Sequence, residues 1–328
     1  MRYLLKTLLF AVTIVTMTNC TGKENSHGES RSKYNSIYYW KTTFKVDSAD
    51  IAFLQKHDIN RIYLRMFDVA TEQNYATGET DIAPIATTKF VSAVPKNIDI
   101  VPVTYITTDA LRAMAGKEEE YAALIVERLL AMASYNECGN ISEVQLDCDW
   151  TKTTKESYNQ LCKMVKDTLN SKDIALSITV RLHQLQETAP CADRGVLMLY
   201  NTGALKNPDT RNSILDIDDV KPYVKSKKYP LTLSYAFPVF GWGVKFENNK
   251  FVSIIPTNTA DSVESSAVPK ANNVYIRYER PTSAEILAVK KLAEKNLGKP
   301  ANGNILFHLD SLQLKNYTND EISQILIN

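Results

Sequence analysis

The segment Glu143-Val144-Gln145-Leu146-Asp147-Cys148-Asp149-Trp150 has the residue types and spacing that come nearest to chemistry. On an extended strand Gln145, Asp147 and Asp149 share one face, while Val144, Leu146 and Cys148 share the other. Carboxylates on a strand covered on both sides are costly unless they are paired, hydrogen-bonded or solvated at an opening. The two aspartates therefore imply either a site or an ion network. Two carboxylic groups in a cleft are what glycosidic-bond hydrolysis uses: one protonates the leaving oxygen, and the other acts as nucleophile or activates water. In that scheme Asp149, nearer the strand end, is the proton donor. Asp147 orients it, raises its pKa by like charge, or stabilises positive charge on the sugar ring, and Asp310 offers another carboxylate.

The same parity argument assembles the rest. Ser177, Thr179, Arg181 and His183 alternate with Leu176, Ile178, Val180 and Leu182, Arg65 shares a face with Tyr63 and Phe67, and His308 and Asp310 oppose Ile305, Phe307 and Leu309. Trp40, Tyr105, Trp150, Tyr200, Tyr235 and Trp242 stand at or just past strand ends, where flat faces with a polar rim support sugar rings, although parity turns Trp150 toward the helices. The binding set is therefore Trp40, Arg65, Tyr105, Arg181, His183, Tyr200, Tyr235, Trp242 and His308. A competing arrangement has Arg65 and Arg181 neutralising Asp147 and Asp149 in a closed ion network that does no chemistry and leaves an inactive glycan-binding or structural protein. His183, His308, Asp149 and Asp310 lack the H-x-H or H-E-x-x-H spacing of a metallohydrolase, so no metal and no other cofactor is expected. There is no G-x-S-x-G elbow for a serine hydrolase.

These residues are neighbours only if the chain forms a closed sheet. Strand-like runs occur at Ile37 to Phe44, Arg61 to Val69, Ile98 to Ile106, Glu143 to Trp150, Ala175 to Leu182, Val196 to Asn201, Leu231 to Phe237 and Asn304 to Leu309. Helical periodicity lies between them at Ser48 to His57, Ile85 to Val94, Lys117 to Ser134, Lys155 to Leu169, Asn212 to Val224 and Ser283 to Asn296. Asp47 or Ser48, Thr153 or Thr154, and Thr282 or Ser283 are the expected caps, and Gly298 the expected stop. Eight alternating units predict an α/β (β/α)8 barrel, and no glycine-rich phosphate loop follows the first strand to favour a nucleotide fold. One barrel domain over 34–328 is expected, with an insertion after strand seven (238–280) in which Glu247-Asn248-Asn249-Lys250 reads as a hairpin turn.

The amino terminus is different in kind. Met1 to Lys6 is basic, Leu8 to Met17 apolar, and Cys20 follows, so residues 1–20 read as a signal peptide and 21–33 as a flexible tether. Cys20 resembles the lipidated cysteine of bacterial lipoproteins, which implies a lipid anchor in the membrane and a cell-envelope location. A net charge of +1 without a basic cluster gives no case for nucleic acid. Cys138, Cys148, Cys162 and Cys191 show no C-x-x-C spacing, against zinc-ribbon or thioredoxin-like chemistry.

Asp147-Cys148-Asp149, Tyr39-Trp40-Lys41-Thr42-Thr43-Phe44 and Leu197-Met198-Leu199-Tyr200-Asn201 resemble the glycoside hydrolase-like barrel lipoproteins of Gram-negative bacteria. The aspartate pair is also similar to the D-x-x-D-x-D-x-E strand of family 18 chitinases. In this sequence Thr151 stands where that family has its proton-donating glutamate and Val144 where it has the first aspartate. The resemblance thus implies a glycan ligand and a site at Asp147 and Asp149, without the chitinase acid.

Overall fold

The structure is a computed structural model that describes residues 34–73, 78, 80–225, 229–256 and 273–327. The leader, Cys20 and the tether lie outside the described residues, as does 257–272 of the insertion.

The barrel strands are β1 (Asn35–Tyr39), β2 (Ile59–Gln73), β3 (Asp99–Ile106), β4 (Glu143–Cys148), β5 (Ala175–Val180), β6 (Arg194–Met198), β7 (Thr232–Pro238) and β8 (Asn304–Phe307). Each pairs in parallel with its neighbour in chain order, and β1 pairs with both β8 and β2, so the sheet closes into the expected (β/α)8 barrel. Outside lie α1 (Ser48–Lys56), α2 (Thr108–Ala113), α3 (Glu118–Tyr135), α4 (Lys155–Asn170), α5 (Ile217–Val220), α6 (Ser283–Leu297), α7 (Ser311–Leu314) and α8 (Asn319–Leu326).

Local chemistry accounts for most boundaries. Asp47 caps α1 by accepting from the Ala49 and Asp50 amides at 2.9 and 3.0 Å. Thr282 and Glu285 form a reciprocal capping box on α6, which stops at Gly298 in the left-handed region. The helix α4 buries one face, Tyr158, Leu161, Cys162, Val165 and Leu169, beneath the barrel wall. Thr154 does not cap it, because its hydroxyl accepts from the Thr151 amide at 3.0 Å instead.

Two expected helices give way. Ile85 to Val94 contains no helix: Thr80–Ile85 pairs antiparallel with the overhanging end of β2, and Lys89–Phe90 pairs with Thr43–Phe44. Pro84 carries no amide proton and suits such an edge strand. Asn212 to Val224 shrinks to the single turn of α5, because Asp216 caps it late and Pro222 halts it early.

The insertion after β7 forms a three-stranded antiparallel sheet. Trp242–Glu247 and Lys250–Pro256 are joined through Asn248 and Asn249, both at positive φ as a tight hairpin turn requires, and Val274–Glu279 pairs along the other edge. Gly241 at its entrance has a packing reason. A Cβ there would lie 2.7 Å from the Glu279 carbonyl oxygen, so only glycine lets the two segments approach.

The barrel interior is layered. Tyr38 and Tyr63 stack with centroids 5.0 Å apart, and the Tyr38 hydroxyl donates to the Gln145 amide oxygen at 2.6 Å. Gln145 in turn donates to the Ser177 hydroxyl at 3.2 Å, so this buried layer pairs its polar atoms with one another. Below it, at the amino ends, Glu143 receives Arg61 at 3.1 Å and Arg194 at 2.6 Å. Above it lie the aspartates.

Candidate functional site

Asp147 projects from β4 into the barrel mouth and is 3% exposed. Its Oδ1 accepts from the Thr179 hydroxyl at 2.6 Å and from Arg181 Nη2 at 3.0 Å. Arg181 Nε donates to Asp149, so one guanidinium bridges both aspartates. Parity is the cause: β4 and β5 are in parallel register, Gln145 opposite Ser177, which carries Asp147 to the level of Thr179.

Burial and solvent separate the two carboxyls. Burial raises the Asp147 pKa above the usual carboxylate value, Arg181 opposes it, and the Asp149 charge adds to the rise. The Asp149 side chain is 47% exposed and faces water. Burial also acts against charge on Arg181, but Asp147, Tyr200 and Asp149 outweigh it and raise its pKa, so the guanidinium stays ionised.

The mouth opens as a cleft of about 430 Å³ lined by Trp40, Tyr105, Asp147, Arg181, Tyr200, Asn201, Phe240, Trp242, Phe307, His308 and Asp310. One side is a continuous aromatic surface. Trp40 meets Phe307 at 5.7 Å, Phe307 meets Tyr200 at 4.6 Å and Phe240 at 5.9 Å, and Phe240 meets Trp242 at 5.3 Å between centroids. A second hollow of about 280 Å³ adjoins it and contains Asp149, His183 and Tyr223, with Arg181, Tyr200 and Asn201 lining both. The Tyr105 phenol is pushed up to about 12, by burial first and then by Asp149 and Asp147, and stays a neutral hydroxyl.

Trp242 is held from behind. Its indole Nε1 donates to Glu279 Oε2 at 2.8 Å, Ser213 donates to the same oxygen, and Arg277 Nε donates to Glu279 Oε1 at 2.6 Å. Arg277 then reaches the carbonyls of Leu205 and Asn207 at 3.1 and 2.7 Å, tying the insertion to the loop after β6.

Trp40, Tyr105, Asp147, Arg181, Tyr200, Trp242, His308 and Asp310 are thus brought together at one mouth, with Asp149 and His183 in the adjoining hollow. Asp310 also caps α7 and faces Lys41 at 3.6 Å. Four placements differ from the sequence reading, those of Tyr235, Arg65, His183 and Phe307. Tyr235 lies outside: β7 parity turns it toward the helices, where its hydroxyl donates to the Gly298 carbonyl at 2.6 Å. Arg65 does not reach Asp147 or Asp149. An irregularity in register between Arg65 and Phe67 brings Asp68 beside it, and Arg65 Nε donates to Asp68 at 2.7 Å. His183 is not on β5, which ends at Val180; the chain turns into a short 3₁₀ segment, Leu182–Gln186, that leaves His183 exposed.

Sequence reasoning passed over Phe240, Phe307, Asn201 and Glu279. Parity sets Phe307 opposite His308, toward the helix side, yet its ring packs on Tyr38 at 5.4 Å inside the mouth. Glu279 carried a readable signal, since Arg277 two positions earlier on the same strand face is its partner. Trp150 does turn to the helices and stacks on Tyr158 at 6.2 Å. Cys138, Cys148 and Cys162 are buried free thiols and Cys191 is an exposed one. Among the described residues, no group of three or more His, Cys, Asp or Glu is placed to hold a metal ion.

No protein family matches the chain by sequence, and no curated protein does either. Solved structures do match. The spore cortex-lytic enzyme SleL of Bacillus cereus is 15% identical over 92% of this chain and 76% of its own, with a TM-score of 0.56. A chitinase from Chromobacterium violaceum is 10% identical over 89% of this chain and 98% of its own, with a TM-score of 0.58. The GH18 chitinase ChiB of Flavobacterium johnsoniae is 14% identical over 90% of this chain and 93% of its own, with a TM-score of 0.52. At such identities the likeness establishes the fold: a (β/α)8 barrel of the kind found in family 18 glycosidases.

Proposed function

We propose that the protein acts on a glycan held in the cleft at the carboxyl ends of the barrel strands. The observation that carries this reading is a buried aspartate, Asp147, at a mouth walled by Trp40, Phe307, Tyr200, Phe240 and Trp242. Flat apolar faces bordered by hydrogen-bonding groups match the faces and rims of sugar rings. That the barrel is shared with chitinases and with a spore cortex-lytic enzyme adds support by analogy of fold.

In hydrolysis the proton donor is Asp147 rather than Asp149. Asp147 lines the main cleft and has the raised pKa, which keeps a larger share of it protonated and able to protonate a leaving oxygen. The second carboxylate is Asp310 in the same lining, and Tyr105 and His308 are the lining groups that would hydrogen-bond the sugar. A second reading, binding without cleavage, is favoured by Arg181: one guanidinium bridges and occupies both aspartates, and Thr151 supplies no acid in place of the chitinase glutamate. The location belongs to the same proposal: Cys20 carries a lipid and residues 21–33 tether the barrel to the cell envelope.

The test is a polysaccharide and oligosaccharide screen that records both reducing-end release and saturable binding, with wild type, Asp147→Asn and Trp242→Ala. Product release that falls at least about a hundredfold in Asp147→Asn, with binding retained, supports the hydrolase. Binding that Trp242→Ala weakens, with no product from wild type, supports the second reading. Absence of both overturns the glycan function.

A further inference from the structure

The cleft pairs its aromatic walls with an unusual charge balance. Its lining residues include the carboxyls of Asp147 and Asp310 and a single guanidinium, Arg181, which Asp147 shares with Asp149 in the adjoining hollow. Three carboxylates thus meet one lining cation. Lys41 approaches Asp310 from outside at 3.6 Å, Arg280 stands behind Gly241, and Asp50 lies near Lys41 and Asp310, so the surroundings do not cancel the excess. Arg65 and Asp68 neutralise each other, as do Arg277 and Glu279. His308 contributes no positive charge near neutrality, since burial pushes its pKa down to about 4. Its Nδ1 is buried and meets no hydrogen-bond partner, which leaves a polar atom beside the cleft unsatisfied.

Resting on the glycan reading above, we propose that the cleft selects sugars bearing a free amino group over their N-acetylated, neutral or acidic counterparts. An ammonium group answers each feature of the lining. It completes the charge balance of Asp149, Asp310 and the ionised form of Asp147 in a partly desolvated space, where an ion pair is screened less than at the surface. It is attracted to the faces of Trp40, Phe307 and Trp242 as a cation over aromatic rings. Uronic or sulfated sugars meet the reverse field and are rejected, because like charges brought together at a recognition surface carry a penalty. An N-acetyl group hides the nitrogen's charge and forfeits both attractions.

The experiment is calorimetric titration of the protein with four tetrasaccharides: β-1,4-linked glucosamine, N-acetylglucosamine, glucose and a uronic acid. The expected result is glucosamine binding about tenfold or more tighter than the other three, a gap of about 1.4 kcal/mol. High salt should compress that gap, and Asp310→Asn should narrow it. Asparagine still caps α7, so the variant keeps the fold. Saturable binding of glucose or N-acetylglucosamine at equal or higher affinity overturns the amine preference and leaves the glycan reading standing. Tightest binding of the uronic acid, or a preference indifferent to salt, overturns it as well. Binding of none of the four overturns this inference, and the broader screen then decides the glycan reading separately.

Discussion

The barrel holds two ion clusters on the same face of the same strand, and they differ in almost everything but composition. At the amino end of β4, Glu143 is 1% exposed and lies between Arg61 and Arg194, with Asp99 as a further partner of Arg61 at 3.6 Å. At the carboxyl end, Asp147 and Asp149 share the single Arg181, and a cleft of about 430 Å³ opens beside them. The lower cluster has two acids for two bases and no lining role in either hollow of the mouth. The upper one has more carboxylate than cation and borders water. Ion pairing alone therefore does not tell the two clusters apart; the charge imbalance and the room for a ligand at the mouth do.

The largest effect expected from this contrast is on stability at the lower cluster. Glu143→Gln leaves Arg61, 4% exposed at its side chain, without its close partner. Removing one member of such a buried pair costs about 3–5 kcal/mol. Urea denaturation measures it, and a loss under about 1 kcal/mol, the range of exposed surface pairs, would place Glu143 in the same class as the mouth aspartates and erase the distinction.

Both clusters were legible in the sequence to the extent that strand parity governs them. Gln145, Asp147, Thr179 and Arg181 needed only alternation and a closed sheet, because regular parallel strands transmit register without adjustment. The misplacements arise where regularity stops. Arg65 sits at the register shift in β2 and His183 beyond the end of β5, while Phe307 fills the interior where alternation put it outside. Phe240 and Glu279 come from the insertion, whose packing against the mouth is long-range and leaves no periodic trace. Tyr235 is a simpler lesson: nearness to a strand end did not outweigh its parity.

An intermediate effect is expected from pH, where two mouth groups act with opposite sign. His308 has its pKa depressed to about 4 by burial, so the folded state binds fewer protons than the unfolded one between about 4 and the ordinary 6.5. Its stabilising contribution is complete above 6.5 and is lost as pH falls toward 4. Asp147 has a raised pKa, so the folded state binds more protons there, and stability declines as pH rises from 3.8 through its folded value. Measured against wild type, His308→Gln should flatten the acid-side loss by about 1–2 kcal/mol after discounting for solvent at the cleft. Asp147→Asn should gain relative stability as pH rises above 3.8. Parallel profiles for the two variants would show that the mouth titrates no differently from the surface.

The smallest effect belongs to Asp149, and it is the most telling. Its side chain is 47% exposed while its partner Arg181 keeps a second acceptor in Asp147 at 3.0 Å. Asp149→Asn therefore strands no buried charge: the guanidinium remains paired and the amide faces water. The expected cost is below about 1 kcal/mol, as for exposed ion pairs, and it should fade with added salt. Glu143 and Asp149, six positions apart at the two ends of β4, would then differ several-fold in what their charge contributes to folding. A cost for Asp149→Asn near that of Glu143→Gln would mean that Arg181 depends on both aspartates to stay buried. The mouth would then be a second structural lock, and the unbalanced charge would no longer be free to meet a ligand.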